Sequence, residues 1–407
     1  METDQPVEKP PERGKVKLAA LMEVWGVSTK LGLTSFGGPI AHLGYFHDEY
    51  IRKRKWMDER SYADLVALCQ FLPGPASSQV GIGIGIVRAG FLGGLIAWLG
   101  FTLPSVVALV AFAFLLQGFD IGNAGWIHGL KIVAVAIVAQ AVFGMGQKLA
   151  PDRARITLAV IAMGITLSWQ NVYCQILIIL AAGLLGLWIY RGKSVETSKS
   201  LPVGISKIAA TTSLIIFFGL LFGLPLLREW GGDVKVLAMF NSFYRSGSLV
   251  FGGGHVVLPL LQQDVVPAGW VTQEDFLAGY GATQAVPGPL FTFAGYLGAM
   301  TSGISGAIIA IIAIFLPAFL LVVGVLPFWN DLRNNPNIQG ALMGVNAAVV
   351  GILLAALYNP LWTTAILEPM DFVLAVVLFI MLVFWKLPPW MIVLAGAAGG
   401  LLLGLIK

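Results

Sequence analysis

The sequence has few charged residues. It contains 25 Lys and Arg and 21 Asp and Glu among 407 residues, or 11%, against roughly 25% in a typical soluble domain. Hydrophobic residues make up 57% of the chain, and the mean hydropathy is +0.83. A soluble protein of this size could not cover its surface with so few charges. The composition therefore excludes a disordered chain and an ordinary cytosolic enzyme, and it predicts a polytopic membrane protein.

Cysteine and cofactor-binding motifs are equally scarce. Cys69 and Cys174 lie in apolar stretches and have no CxxC or His-rich neighbour, which argues against a disulfide framework and a zinc site. The chain also lacks a P-loop, a dinucleotide-binding motif, a zinc-protease motif and a haem-attachment motif, which excludes an ATP-driven pump within it. We therefore predict no enzymatic activity, no catalytic residue, no cofactor, no bound metal and no nucleic-acid partner.

An internal repeat organises the chain. Three motifs recur in the same order: FGG (36–38 and 251–253), PGP (73–75 and 287–289) and LP (103–104 and 316–317). The offset between the two copies shortens by one residue from each motif to the next, and chance placement of Gly and Pro explains this regularity poorly. The repeat predicts four segments: a polar N-terminal tail (1–17), a first membrane domain (18–195), a linker (196–236) with one span at about 208–227, and a second membrane domain (237–407).

The loop charges predict that the two halves have opposite orientations. Residues 52–60 carry five basic residues, whereas the matching loop, residues 262–275, carries no base and three acids. Lys and Arg mark cytoplasmic loops, so matching loops of opposite character indicate inverted repeats. The predicted fold is all-α: a polytopic helical membrane protein with two homologous halves as inverted-topology repeats, and with the N-terminus in the cytoplasm.

The PGP motifs predict discontinuous, re-entrant helices. A helix break at membrane depth is tolerated where protein buries it or where it lines a wet cavity. Pro75 and Pro289 suit the first position of the helix that follows each break, which leaves the next amides, including those of Ser77 and Thr292, to face the break. Two such helix starts can converge on one anion near the membrane midplane. The alternative is that both motifs are kinks that serve packing alone.

A basic residue also recurs in the repeat. Lys30 lies six residues before Phe36, and Arg245 lies six residues before Phe251, each within an apolar stretch. A repeated intramembrane cation favours an anionic substrate, although each side chain can instead extend to the membrane interface. The predicted substrate-binding residues are Lys30, Gly37, Gly38, Gln70, Pro75, Ser77, Ser78, Arg88, Arg245, Gly252, Gly253, His255, Gln284, Pro289 and Thr292.

These motifs resemble the chromate ion transporter family, whose long form carries an FGG-type and a PGP-type motif in each of two membrane domains. The resemblance spans about Val24 to Leu403, with Gly254 in place of a proline after the second FGG. It implies export of chromate across the bacterial cytoplasmic membrane and resistance to chromate. A transporter of sulfate or another oxyanion, and an anion channel, stay open as alternatives. Coupling to protons, for which Asp64 is the acid to test, and assembly as a homodimer also stay open.

Overall fold

The computed structural model describes residues 18–118, 125–169, 172–190, 205–230, 234–251, 254–329 and 335–406. Within these ranges every regular element is a helix, and no β-strand occurs. This confirms the predicted all-α fold. The predicted N-terminal tail (1–17) lies outside the described residues.

The two halves contain the same series of helices. In the described part of the first half these are α1 (Leu18–Thr34), α2 (Gly38–Phe46), α3 (Glu59–Phe71), α4 (Ala76–Gly118), α5 (Gly125–Leu149), α6 (Arg153–Ser168) and α7 (Val172–Ile189). The connecting helix is α8 (Lys207–Trp230). The second half has α9 (Lys235–Leu249), α10 (Val257–Val265), α11 (Gln273–Thr283), α12 (Phe293–Val325), α13 (Pro336–Ala356), α14 (Pro369–Val383) and α15 (Pro389–Ile406).

Five described helical stretches are long and apolar enough to cross a membrane: Ala76–Gly118, Gly125–Leu149, Lys207–Glu229, Leu290–Phe328 and Asn337–Ala365. Large apolar side chains cover their outer faces and those of the shorter apolar helices. Ile208 on α8, Leu184 on α7 and Leu405 on α15 are all at least 70% exposed. Such exposure suits a bilayer, because lipid tails are as apolar as the side chains themselves.

The first FGG motif forms the tip of a helical hairpin. Ser28 on α1 hydrogen-bonds Tyr50 at 3.2 Å, and Tyr50 lies in a π-helical turn (His47–Lys53) that continues α2. The two arms are therefore antiparallel and reverse near residues 37–38. Gly37 and Gly38 have φ values of 95° and 78°, a conformation that L side chains rarely adopt. The apolar stretch that contains Lys30 is therefore interrupted at the first FGG motif.

The PGP motif forms the tip of a second hairpin in each half. In the first half α3 packs against the start of α4, where a Cβ on Gly83 would lie 2.7 Å from Leu65 Cδ1. At the matching positions of the second half the sizes are exchanged, because Gly279 on α11 faces the ring of Tyr296 on α12. Each half thus joins one large and one small side chain, which brings the two helices close together. The predicted discontinuous helices are confirmed.

After the reversal at each PGP tip, the chain reverses again inside helices α4 and α12. The backbone is non-helical at Ala89 and Gly90 in α4 and at Ser302 and Gly303 in α12. Glycines on the two arms then meet backbone to backbone, and these pairs are Gly85 with Gly93, and Gly298 with Gly306. Both PGP hairpins are therefore followed by a tight turn, from which a long helix returns through the protein.

The last three helices of each half pack against the other half. Helix α5 contacts α11, α14 and α15, while α13 contacts α6 and α7. The helices approach closely at these crossings because a glycine lies against the backbone of the neighbouring helix. Gly129 of α5 lies against Gly396 of α15, and Gly344 of α13 lies against Ala182 of α7. The two halves are consequently interlocked. The predicted residue limits of the four segments stay predictions.

Candidate functional site

The PGP tip of each half hydrogen-bonds the other half just before its FGG motif. The amide of Gly74 donates to the carbonyl of Val250 at 2.7 Å. The amide of Gly288 donates to the carbonyl of Ser35 at 2.9 Å. Gly288 matches Gly74 and Val250 matches Ser35 at the repeat offsets. The tips of the first FGG hairpin and both PGP hairpins therefore meet at one place between the two halves.

Glycine is required at the centre of both PGP motifs. Gly74 and Gly288 have φ values of 118° and 103°, and a Cβ on Gly288 would lie 2.6 Å from Ser105 Oγ. In the first half the break is closed by the buried Gln79, whose Nε2 donates to the carbonyl of Pro73 at 2.8 Å. The broken helix therefore has a side chain to satisfy a backbone group that the α-helix would otherwise pair.

Buried polar side chains of the first half collect around this meeting point. The central cluster comprises four residues at most 2% exposed: Ser35, His42, Ser78 and Thr102. Each has one polar atom that is buried and has no hydrogen-bond partner among the described residues: Oγ of Ser35, Nε2 of His42, Oγ of Ser78 and Oγ1 of Thr102. Unpaired buried polar atoms are costly, and several in one place indicate a site for a ligand or ordered water.

Three contacts bring the central cluster together. His42 Nδ1 hydrogen-bonds Ser77 Oγ at 3.2 Å, which joins α2 to the start of α4. The ring of His42 lies edge-on to Phe101, with centroids 5.4 Å apart, and Phe101 precedes Thr102 in α4. Ser35 is held by its carbonyl, which accepts from Gly288. The predicted residues Ser77 and Ser78 are thus placed at the PGP break, and Pro75 immediately precedes the helix that carries them.

Among the described residues near the two helix breaks, the second half contributes fewer buried polar atoms without a hydrogen-bond partner. Gln284 has a buried Nε2 with no partner among the described residues. Pro289 begins the 3-10 turn Leu290–Thr292, and the hydroxyl of Thr292 donates to the carbonyl of Pro289 at 2.7 Å. His255 lies behind this turn and pairs through Nδ1 with Tyr280 OH at 2.6 Å. The predicted residues Gly252 and Gly253 lie outside the described residues.

Each repeated cation is paired with a repeated acid. Lys30 Nζ donates to Glu49 at 2.9 Å, and the lysine side chain is 55% exposed. Arg245 is paired with Asp264, and both side chains are at most 13% exposed. Glu49 and Asp264 match at the offset that relates the two FGG motifs. The proposed binding of a substrate anion by the two cations stays a prediction, and any such anion would compete with a carboxylate already in place.

Two predicted residues, Arg88 and Gln70, are not part of the central cluster. Arg88 is twelve residues beyond Ala76, about 18 Å along the helix. Its guanidinium donates to Glu23 at 3.0 Å and lies 5.3 Å from the ring centroid of Trp56. The structure therefore does not bring Arg88 to the central cluster. Gln70 lies three residues before Pro73, near the end of α3, and its side chain is exposed.

Sequence reasoning missed several residues that shape this site. Thr102 lies in a long apolar stretch, and the matching residue of the second half is Phe315. Gln79 directly follows Ser77 and Ser78, and the sequence did not indicate its hydrogen bond to Pro73. Glu49 and Asp264 carried a detectable signal, because both stand nineteen residues after the repeated cation. A search for repeated acids beside the repeated bases would have found this pair.

The chemistry of the central cluster suits an anion held without a fixed positive charge. Hydroxyl groups donate one hydrogen bond each, and a neutral imidazole donates from whichever nitrogen carries the proton. When Ser77 donates to Nδ1 of His42, the proton resides on Nε2, the nitrogen that has no partner. The amino-terminal ends of α2 and α4 add the positive ends of their dipoles.

The chain is similar over most of its length to known proteins. The pattern of the chromate transporter family matches residues 22–187 and 237–401. A chromate transport protein of Cupriavidus metallidurans is 28% identical over 385 residues, which cover 93% of this chain and 90% of that protein. One from Pseudomonas aeruginosa is 28% identical over 340 residues, 80% of this chain and 77% of that protein. No solved structure matches the chain. Because the family pattern covers both halves, the chain belongs to the chromate transporter family.

Proposed function

We propose that this protein is a secondary transporter that carries chromate, a tetrahedral dianion, out of the bacterial cytoplasm and thereby gives resistance to chromate. The observation that carries the proposal is the reciprocal pair of hydrogen bonds from Gly74 to Val250 and from Gly288 to Ser35. These bonds bring the breaks of both halves together beside buried, unpaired polar atoms. The family membership and the names of the relatives support chromate as the substrate.

In this proposal the central cluster binds the oxyanion. The hydroxyl groups of Ser35, Ser78 and Thr102 donate hydrogen bonds to its oxygens. His42 donates a further hydrogen bond from Nε2. Such hydrogen bonds to a charged group are each worth about 1.5–3 kcal/mol. The glycine at each tip lets the backbone approach closely, since no side chain intervenes. Transport then follows when one half moves against the other around this fixed site, as inverted repeats permit.

The membrane potential supports export. Moving a dianion out of a cell that is negative inside gains about 4.6 kcal/mol per 100 mV, at roughly 2.3 kcal/mol per charge. A tenfold opposing gradient costs only about 1.4 kcal/mol. Efflux can therefore run on the potential alone, whereas uptake would need co-transported cations. The basic loop at residues 52–60 supports a cytoplasmic location for that end of the first half and for the N-terminus.

Flux of labelled chromate in proteoliposomes tests the proposal. We expect saturable flux that reverses with the sign of an imposed potential. His42→Ala and Ser78→Ala should each raise the half-saturating chromate concentration about tenfold or more, since each removes a donor to a charged ligand. Ser213→Ala is the matched control, because the hydroxyl of Ser213 is bonded to its own helix at Ala209.

Three results would contradict parts of the proposal. No flux under an imposed potential would remove chromate transport. Flux that does not saturate would favour an anion channel. Inhibition by equimolar sulfate as strong as that by equimolar unlabelled chromate would favour a general carrier of tetrahedral oxyanions, since sulfate has nearly the same size and charge as chromate.

A further inference from the structure

A second polar cavity lies apart from the central cluster. Its volume is about 320 Å³, and it is bounded by the end of α6, the start of α7, α10 and the end of α13. None of the described residues that line it is charged. Its polar lining consists of four carboxamides and one hydroxyl: Gln175, Gln262, Gln263, Asn359 and Thr166.

Gln175 is the least satisfied side chain of this cavity. It is 1% exposed, and neither its Nε2 nor its Oε1 has a hydrogen-bond partner among the described residues. Oε1 of Gln263 is also buried without a partner. A buried carboxamide normally satisfies both of its polar atoms. The cavity therefore offers donors and acceptors that a polar ligand, or water in its place, would satisfy.

The cavity leads from the surface toward the central cluster. One wall begins at the buried Pro259 in α10 and continues to the exposed Pro267, two residues beyond the end of that helix. Pro259 lies five residues after Gly254, about 7.5 Å at the rise of an α-helix, and Gly254 contacts Leu290 at the second PGP break. The inner end of the cavity thus approaches the place where the two halves exchange hydrogen bonds.

The cavity lies at the end of the protein that is poor in basic residues. Helix α6 begins beside Arg153 and Arg155, and it reaches the cavity at its other end through Thr166. Gln175, near the start of α7, lies at the same end. Because basic residues mark the cytoplasmic side, the cavity opens to the outside.

The matching end of the first half carries charges instead of amides. His47 Nε2 pairs with Glu59 at 2.5 Å, and the equivalent contact in the second half joins Gln262 Nε2 to Gln273 Oε1 at 2.9 Å. Asp48, which pairs with Arg52, likewise corresponds to Gln263. Equivalent positions are therefore charged at this end of the first half and carry neutral amides that line the cavity in the second half.

We propose that this cavity is an outer binding site for the transported oxyanion, which waits there between the central cluster and the external medium. The inference rests on the proposed function. Carboxamide N–H groups bind oxyanions by hydrogen bonds, and without a fixed positive charge they release the ion readily. The central cluster has the same uncharged donor chemistry, so the ion passes between sites of one kind.

Side-specific labelling of a cysteine at Gln263 tests the site. Cys69 and Cys174 are at most 1% exposed and leave little background reaction with a membrane-impermeant thiol reagent. We expect Gln263→Cys to react from the outside in intact cells, and sulfate and molybdate to slow that reaction where chloride does not. These ions replace chromate because chromate oxidises thiols. Asp48→Cys, at the matching position, should react only in inside-out vesicles.

A kinetic measurement addresses chromate itself. Gln175→Leu keeps the side-chain size and removes the amide, so we expect the half-saturating concentration of external chromate to rise about tenfold, with little change for chromate applied from the inside. Reaction of Gln263→Cys only from the inside, or no protection by either oxyanion while the protein still carries chromate, would overturn the outer site. Absence of chromate flux in the unsubstituted protein would instead overturn the proposed function.

Discussion

Pro39 of the first half faces Gly254 of the second half: a Cβ added to Gly254 would lie 3.8 Å from Pro39 Cγ. These two residues occupy the same position in the repeat, because each directly follows an FGG motif. Two equivalent residues meet only where the axis that relates the halves passes between them. The contact between Pro39 and Gly254 therefore marks where that axis passes.

Two glycines near this axis should respond oppositely to an added methyl group. Gly288→Ala should abolish most transport, because a φ of 103° strains any L residue and the new Cβ would lie 2.6 Å from Ser105 Oγ. Gly254→Ala should retain transport, since its Cβ has only ordinary contacts of 3.4 Å or more. Chromate flux in proteoliposomes compares the two variants, and equal loss in both would contradict the proposed geometry.

The ion pairs Arg245–Asp264 and Lys30–Glu49 should differ in their contribution to stability, because the side chain of Arg245 is only 13% exposed and that of Lys30 is half-exposed. Arg245→Ala leaves Asp264 buried without its partner, which typically costs about 3–5 kcal/mol. Lys30→Ala should cost at most about 1 kcal/mol, because the lysine is half-exposed. Thermal unfolding in detergent measures both effects.

The double variant Arg245→Ala, Asp264→Ala separates stability from substrate binding. Removal of both charges should restore most of the stability that Arg245→Ala loses. If Arg245 binds the substrate, as the sequence predicts, the double variant stays folded and does not carry chromate. Full recovery of chromate flux would instead assign Arg245 to the ion pair alone.

Gly279 and Tyr296 at the second PGP hairpin match Leu65 and Gly83 of the first, with the large and the small residue exchanged. This exchange predicts that a second substitution can restore stability lost through the first. Gly279→Leu should destabilise the protein strongly, because even a Cβ at this position overlaps the ring of Tyr296. The double variant Gly279→Leu, Tyr296→Gly reproduces the Leu65 and Gly83 pair of the first half and should recover part of the stability. The recovery is incomplete, since Tyr296 OH also donates to the carbonyl of Asp275 at 2.8 Å. Thermal unfolding would contradict this packing if the double variant were less stable than Gly279→Leu.

The cap of α6 predicts a dependence of stability on pH. Asp152 accepts from the amide of Arg155 at 3.0 Å, and this hydrogen bond, together with those from the Arg155 and Tyr190 side chains, lowers the pKa of Asp152 below its ordinary value. The stabilisation is present above the unfolded pKa, ordinarily about 3.9, and is lost as the pH falls through the lower folded pKa.

Substitutions at Asp152 test both parts of that prediction. Asp152→Ala should cost about 1 kcal/mol at neutral pH through loss of the cap. Asp152→Asn should keep most of the cap and lose the pH dependence, since asparagine caps equally well and does not titrate. Unfolding followed from about pH 7 down to about pH 2, below the unfolded pKa, would contradict the assignment if Asp152→Asn retained the acid sensitivity of the unsubstituted protein.

The sequence alone determined the class and the repeat of this protein. Composition required a membrane environment, and the nearly constant offset between the paired FGG, PGP and LP motifs divided the chain into two halves. The breaks at the FGG and PGP motifs were also predictable, because proline lacks an amide proton and glycine accepts positive φ wherever they stand in the chain. These properties are local, so no knowledge of distant contacts was needed.

The tertiary structure decided which of these residues act together. It joined Gly74 to Val250, gave Lys30 and Arg245 carboxylate partners, and placed Arg88 about 18 Å from the helix start. It also added Thr102 from a stretch that looks purely apolar. Such pairings depend on how separate segments pack against each other in three dimensions, within one half or between the two. The repeat shows which residues are equivalent, but it does not by itself specify which residues are in contact.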